Sequence, residues 1–174
     1  MKHLIVTLAL IALAAGAALA AGKKPTAKAE LWDAKGEKVA TATLKEAKGG
    51  VKIALQATGL PEGIHAFHIH AVGKCDAPDF KTAGGHFNPE NKKHGMKNPE
   101  GPHAGDMPNI TVNAKGAGKA KFFNPHVTLG EGANSLFHEG GTALVIHAKA
   151  DDEMTDPAGN AGDRIACGVI EKGQ

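Results

Sequence analysis

The chain of 174 residues has no tyrosine, one tryptophan and six phenylalanines. A core is therefore expected from Ala, Val, Ile and Leu. Charge of one sign is also missing: 20 Lys and Arg face 18 Asp and Glu, a formal net charge of +2. That balance excludes the basic excess of a nucleic-acid binder. At 42% hydrophobic and 22% charged the composition is globular and excludes a disordered chain, and the length suits one domain. No amphipathic pattern of three helical turns is present. Cysteine is scarce, with two residues, whereas histidine is abundant, with ten. The histidines need an explanation.

The N-terminus bears on how the cysteines are read. Met1-Lys2-His3 is a short basic start, Leu4 to Ala15 is apolar, and Gly16 to Ala20 is small and ends in an A-x-A pattern. This is the form of a secretory signal peptide over residues 1–20, with cleavage expected near Ala20 and one domain over residues 21–174. The apolar run is short for a spanning helix and no cysteine follows it, so no membrane anchor is expected after cleavage. An exported chain, periplasmic or extracellular, meets oxidising conditions, and Cys75 and Cys167 are expected to pair there. Closing so long a loop stabilises a fold by about 4–5 kcal/mol on the chain-entropy argument, less any strain.

Apolar and polar residues alternate with period 2 over Lys28–Asp33, Lys38–Leu44 and Val51–Thr58. Further strands are expected over His65–Ala71, Asn109–Ala114, Lys119–Phe123, Thr142–Lys149 and Arg164–Ile170. Eight short strands separated by Gly, Pro, Asn and Asp predict an all-β sandwich or barrel. The stretch from Val72 to Pro108 has almost no apolar periodicity, and something other than a hydrophobic core is expected to order it. Asp151 to Asp163 is a second, shorter irregular stretch.

Histidines fall where metal ligands would. In a strand, His68 and His70 project from one face and can converge on one ion, although an exposed strand face would also carry such a pair. The long loop carries His86, His94, His103 and Asp106, a donor set suited to tetrahedral zinc. Gly84-Gly85 and Gly105 allow tight bends beside those donors. His147 ends an apolar strand. These donors exceed one ion's needs. If His86 uses both ring nitrogens, an all-imidazole site suited to copper is joined to a His₃Asp site suited to zinc.

The strings GIHAFHIH (63–70), GGHFNP (84–89), HG (94–95), PHAGDMPN (102–109), VIHAKADD (145–152) and GNAGDRIACGVI (159–170) resemble Cu/Zn superoxide dismutase of the secreted bacterial type. The match runs in order over most of the chain after the signal peptide. The resemblance implies an eight-stranded Greek-key β-barrel or sandwich with a long metal-binding loop and a second active-site loop. It also implies superoxide anion as substrate. It makes His68, His70, His86 and His147 copper ligands, and His86, His94, His103 and Asp106 zinc ligands, with His86 as the bridge and a carrier of protons. Asp151 matches a carboxylate that orients one ligand of each metal, and Arg164 the arginine that holds the anion. Cys75 and Cys167 match the family disulfide. His65 matches a structural histidine, and His126 and His138 match no ligand.

Three departures from the family pattern bear on function. The residues between His70 and His86 are distributed differently from those of cytosolic eukaryotic members, so their dimer interface is not expected, although a homodimer remains open. The stretch from Asp151 to Arg164 holds acids and no lysine, which leaves Lys74, Lys92 and Lys93 as candidates to steer an anion, or as plain solvated surface. Asp163 directly precedes Arg164, where a small neutral residue is more usual; it could partly neutralise the docking charge or fix its rotamer, and a strand-end ion pair between the two is the plain alternative for Arg164. The competing readings are a non-enzymatic copper- or zinc-binding relative on the same barrel and, more weakly, a hydrolytic zinc enzyme. Four protein ligands would close the zinc site to hydrolysis. The sequon at Asn109-Ile110-Thr111 falls at a strand start and is read as incidental.

Overall fold

Alternation of small apolar and polar residues turns one face of each of the first three strands inward. The structure, a computed structural model, describes residues 24–173; the signal peptide expected over residues 1–20 lies outside them. Strands β1 (Thr26–Asp33), β2 (Lys38–Ala47) and β3 (Gly50–Ala57) form an antiparallel meander. Leu31, Leu44 and Ile53 point into the core, while Lys28, Thr43 and Lys52 face solvent.

Where the pattern predicts one strand from His65 to Ala71, the structure has two, β4 (Gly63–His65) and β5 (Phe67–His70). His65 pairs with Ile110 of β6 (Ile110–Val112), whereas Phe67 pairs with Ile146 of β8 (Ala143–His147). Ala66 between them donates to the Lys149 carbonyl at 2.8 Å and accepts from the His147 N–H at 3.0 Å. The chain thus changes neighbours at Ala66.

The last expected strand is β9 (Arg164–Val169), and beyond it a short strand that the pattern does not predict, β10 (Glu171–Lys172), turns to pair with β1. With β7 (Gly118–Asn124), the main sheet runs β5-β8-β9-β1-β2-β3-β7. The β4–β6 ribbon continues directly into β5, and β6 packs beside β7. The ribbon therefore links the two ends of the sheet, and the result is the expected barrel.

Aliphatic side chains dominate the interior, but not alone. Phe67 is wholly buried, with the Phe122 ring 5.8 Å away. The long loop is likewise not without apolar anchors, contrary to its lack of periodicity. Phe80 and Ala83 pack with Ala143, Val145 and Cys167 in a small second core, and Phe87, Ala104 and Met107 join the main one. These anchors are irregularly spaced because no strand or long helix sets their interval. The Cys75–Cys167 disulfide closes a separation of 92 residues beside the second core, with the Cα atoms 5.6 Å apart. Gly105 lies directly on β5: it accepts from the Ile69 N–H at 2.9 Å, and a Cβ there would collide with the Ile69 carbonyl.

Candidate metal centre

Two rigid strands and two loops supply the polar interior. β5 places His68 and His70, β8 ends on His147, and the long loop brings His86, His94, His103 and Asp106 beneath them. All seven are buried. One donor atom from each of His68, His70, His86 and His147 lies within 4.8 Å of the others, and the same holds for His86, His94, His103 and Asp106. Every histidine and the aspartate singled out in the sequence as a ligand is brought into one of these groups, and His86 is in both.

Hydrogen bonds select which nitrogen of each ring faces the group. His68 Nε2 donates to Asp151 Oδ2 at 2.7 Å, His70 Nδ1 to the Gly84 carbonyl at 2.9 Å, and His147 Nδ1 to the Gly162 carbonyl at 3.3 Å. His68 Nδ1, His70 Nε2 and His147 Nε2 are left to converge, the last two 3.4 Å apart. His68 Nδ1 and His86 Nε2 are buried with no hydrogen-bond partner. Buried polar atoms are normally satisfied, so two orphaned imidazole nitrogens at one point fit a metal ion as the missing partner.

The second group has its own geometry. Asp106 Oδ1 lies 2.8 Å from His86 Nδ1, 3.0 Å from His94 Nδ1 and 3.4 Å from His103 Nδ1, and the His86 and His103 nitrogens are 3.4 Å apart. A tetrahedron with zinc–nitrogen bonds of about 2.0–2.1 Å has edges of about 3.3 Å. Three nitrogens and one carboxylate oxygen at these separations fit zinc.

Electrostatics keep the four imidazoles of the first group neutral. Burial pushes His86 down to about 4, with repulsion from His68 adding to it, and burial likewise pushes His147 down to about 4. Burial lowers His68 and His70 as well. These rings are neutral at pH 7, with lone pairs available. Asp106 goes the other way: burial raises it, but hydrogen bonds from His103, His86, His94 and the Gly95 N–H hold it far below the carboxylate range. Burial also opposes charge on His94, yet its contacts with Asp106 and Asp151 outweigh that and raise it to about 9.

Asp151 spans the two groups. Its Oδ2 accepts from His68 and its Oδ1 from His94 Nε2, at 2.9 Å. Asn109, whose sequon carries no role by sequence, fixes it. The Asn109 side chain donates to the Asp151 carbonyl at 2.9 Å and accepts the Asp151 N–H at 2.8 Å. Only a partner 42 residues away reveals that role. His65 is structural, as expected, with ring nitrogens 2.8 Å from the His147 carbonyl and 3.0 Å from that of Pro61. His126 is half-buried outside both groups, and His138 stacks on Phe87 at 5.2 Å.

Arg164 opens β9 at the floor of a polar cleft shared with Pro78, Asp79, Lys81, Gly162 and Asp163. Its guanidinium donates to the Phe80 carbonyl at 2.7 Å and the Gly84 carbonyl at 2.6 Å. Among the described residues it makes no ion pair with Asp163, so the plain strand-end pairing is not what holds it. Of the lysines named as steering candidates, Lys92 is paired to Glu90 at 2.7 Å and Lys93 to Asp156 at 3.2 Å, while Lys74 is exposed. The lysine that lines the cleft is Lys81, paired to Asp79 at 2.8 Å.

Comparisons with known proteins agree with this geometry. The copper/zinc superoxide dismutase family matches residues 38–170. Superoxide dismutase [Cu-Zn] 1 of Aquifex aeolicus is 59% identical over 82% of this chain and 86% of its own length. The superoxide dismutase-like protein YojM of Bacillus subtilis is 42% identical over 81% of this chain and 74% of its own. Among solved structures, a SOD-like protein from Bacillus subtilis superposes with a TM-score of 0.78 at 40% identity, covering 82% of this chain and 96% of that one. The clock protein EA4 superposes at 0.69 with 32% identity, covering 86% of this chain and 95% of that one.

Proposed function

The chain belongs to the copper/zinc superoxide dismutase family and converts superoxide to molecular oxygen and hydrogen peroxide with copper and zinc; from that premise we propose which of its atoms carry the reaction. His68 Nδ1, His70 Nε2, His86 Nε2 and His147 Nε2 hold copper, and His86 Nδ1, His94 Nδ1, His103 Nδ1 and Asp106 Oδ1 hold zinc. The orphaned His68 Nδ1 and His86 Nε2 carry this assignment. Copper bound there would supply the one-electron couple that dismutation needs, and zinc, which has no redox chemistry, would order the site.

The chain's own residues do the rest. Two superoxide anions and two protons become one oxygen and one hydrogen peroxide. Arg164 offers a fixed positive charge to the incoming anion, held by two carbonyls so that it needs no reorganisation. His86 would carry one of the product's protons at Nε2 only when that nitrogen is not engaged by copper. Asp151 keeps His68 and His94 in the tautomers that ligation needs.

The disulfide fits an oxidising compartment, and the N-terminal pattern of residues 1–20 supports export to a periplasmic or extracellular space. Any homodimer is expected to use an interface other than that of the eukaryotic members. Metal analysis of the purified protein, paired with an assay of superoxide loss, tests the assignment. Equal copper and zinc with rapid superoxide loss is expected, and single replacement of His68 or His147 should lower copper and spare zinc. Both metals bound without superoxide loss would instead favour the non-enzymatic metal-binding reading.

A further inference from the structure

The outer face of β2, β3 and β7 carries a charge pattern that dismutation does not use. In register, Lys45 lies opposite Lys52 and Lys52 opposite Phe123; Thr43, Ala54 and Lys121 form the next row, and Thr41, Gln56 and Lys119 the third. Each of these side chains is on the outward parity of its strand. The array holds four ammonium groups and no carboxylate. Among the described residues none of the four lies within ion-pair distance of an acid. Two carboxylates beside the array have other partners: Glu30, opposite Thr41, is bonded to Lys38 at 3.1 Å, and Glu46 accepts from the Leu129 N–H at 2.6 Å and the Thr128 hydroxyl at 3.2 Å.

Like charges directly across an antiparallel pair destabilise it. Lys45 and Lys52 are such a pair, and Lys119 and Lys121 are two residues apart on one strand, about 7 Å. A bound polyanion would relieve both repulsions. The array is also hollow. Ala54 at its centre has almost no side chain, and two adjoining hollows of about 400 and 460 Å³ meet there. One wall, on β7, presents Lys119 and Lys121, and the other, on β2 and β3, the Thr41 and Thr43 hydroxyls and the Gln56 amide, with Lys45 and Lys52 closing one end.

We propose that this face binds a linear carboxylated polysaccharide along β3, with the lysines pairing its carboxylates and the hydroxyl and amide wall bonding its sugar hydroxyls. Charge complementarity and the hydroxyl wall favour that occupant. A lipid surface fits less well, because Phe123 is the array's one large exposed apolar residue and the centre is recessed. The metal ligands come from β5, β8 and the loops, so bound polymer would leave dismutation untouched.

Titration of the metal-loaded protein with polygalacturonate at low salt tests this, with neutral dextran and phosphatidylglycerol vesicles in parallel. Exposed ion contacts are individually weak, so Lys45→Gln, Lys52→Gln, Lys119→Gln and Lys121→Gln together should weaken polygalacturonate binding by about tenfold or more, at an unchanged dismutase rate. A charge-matched variant in turns and loops, Lys35→Gln, Lys74→Gln, Lys115→Gln and Lys149→Gln, should keep most of the binding. Ala54→Gln fills the hollow without changing charge and should also weaken binding; it decides the matter if the fourfold variant does not fold. Equal losses in the two charge-matched variants, undiminished binding by Ala54→Gln, tighter binding to the vesicles, or no binding to polygalacturonate would each overturn the proposal.

Discussion

Arg164 and His70 are tied to the same atom. The Arg164 guanidinium donates to the Gly84 carbonyl at 2.6 Å and His70 Nδ1 to that same oxygen at 2.9 Å. The proposed docking group for the anion and a proposed copper ligand therefore share one support, two residues before His86, the proposed bridge. The Cys75–Cys167 disulfide and the small core around Phe80 hold that stretch of loop against the barrel.

Arg164→Ala removes the docking charge without touching a donor atom. Superoxide turnover should fall about tenfold or more at low ionic strength, and the deficit should narrow as salt screens the field of the parent. Copper and zinc content should not change. Loss of copper from this variant would contradict the role given to Arg164.

Asp151→Asn keeps the shape but weakens the acceptor shared by His68 and His94. Outer hydrogen bonds of this kind are typically worth about 10–100-fold in metal affinity. Chelator competition should show that loss for zinc, with a smaller one for copper.

Asn109→Ala leaves the Asp151 backbone N–H and carbonyl without their partners. A loss of about 1–3 kcal/mol in unfolding stability is expected by chemical denaturation. Zinc affinity should fall less than in Asp151→Asn, because the carboxylate itself survives.

Gly159 has φ +61°, and a Cβ there would collide with the Asp151 carboxylate and crowd His94. Gly159→Ala should therefore reproduce part of the Asp151→Asn zinc defect. An unchanged zinc affinity would show that the loop yields without moving Asp151.

The metal-free protein should be most stable near pH 6.5. His86 and His147 are depressed to about 4 by burial, so their contribution is intact above the unfolded value of about 6.5 and is lost as the pH falls toward 4. His94 is raised to about 9 because Asp106 and Asp151 outweigh its burial, so its contribution is intact below about 6.5 and is lost as the pH rises through 9. Urea melts of chelator-treated protein across this range should show a maximum with losses on both sides. Bound metals should flatten it.

Period-2 alternation locates β1, β2 and β3, because a half-buried sheet obliges it, whereas β5 and β8 are buried on both faces and carry no such period; the donor set of the two metal groups can be assembled from residue chemistry and family strings. The division at Ala66 cannot be read so, since His65 and Phe67 continue one pattern while pairing with different neighbours. The anchoring of the long loop by Phe80 and Phe87 was hidden for a related reason: irregular backbone has no period from which to read burial.

The chemistry is legible along the chain: ten histidines, six of them proposed donors, one cysteine pair, and strings specific enough to identify a family. Which atom of each residue faces the metal groups follows only from the packing. His68 Nδ1 and His86 Nε2 are singled out because their opposite nitrogens face Asp151 and Asp106, on segments 83 and 20 residues away. The same is true of Asn109 holding Asp151 and of Lys81, not Lys92 or Lys93, lining the cleft of Arg164. Hydrogen bonds and charge act over a few ångströms of space, and separation along the chain does not report that distance.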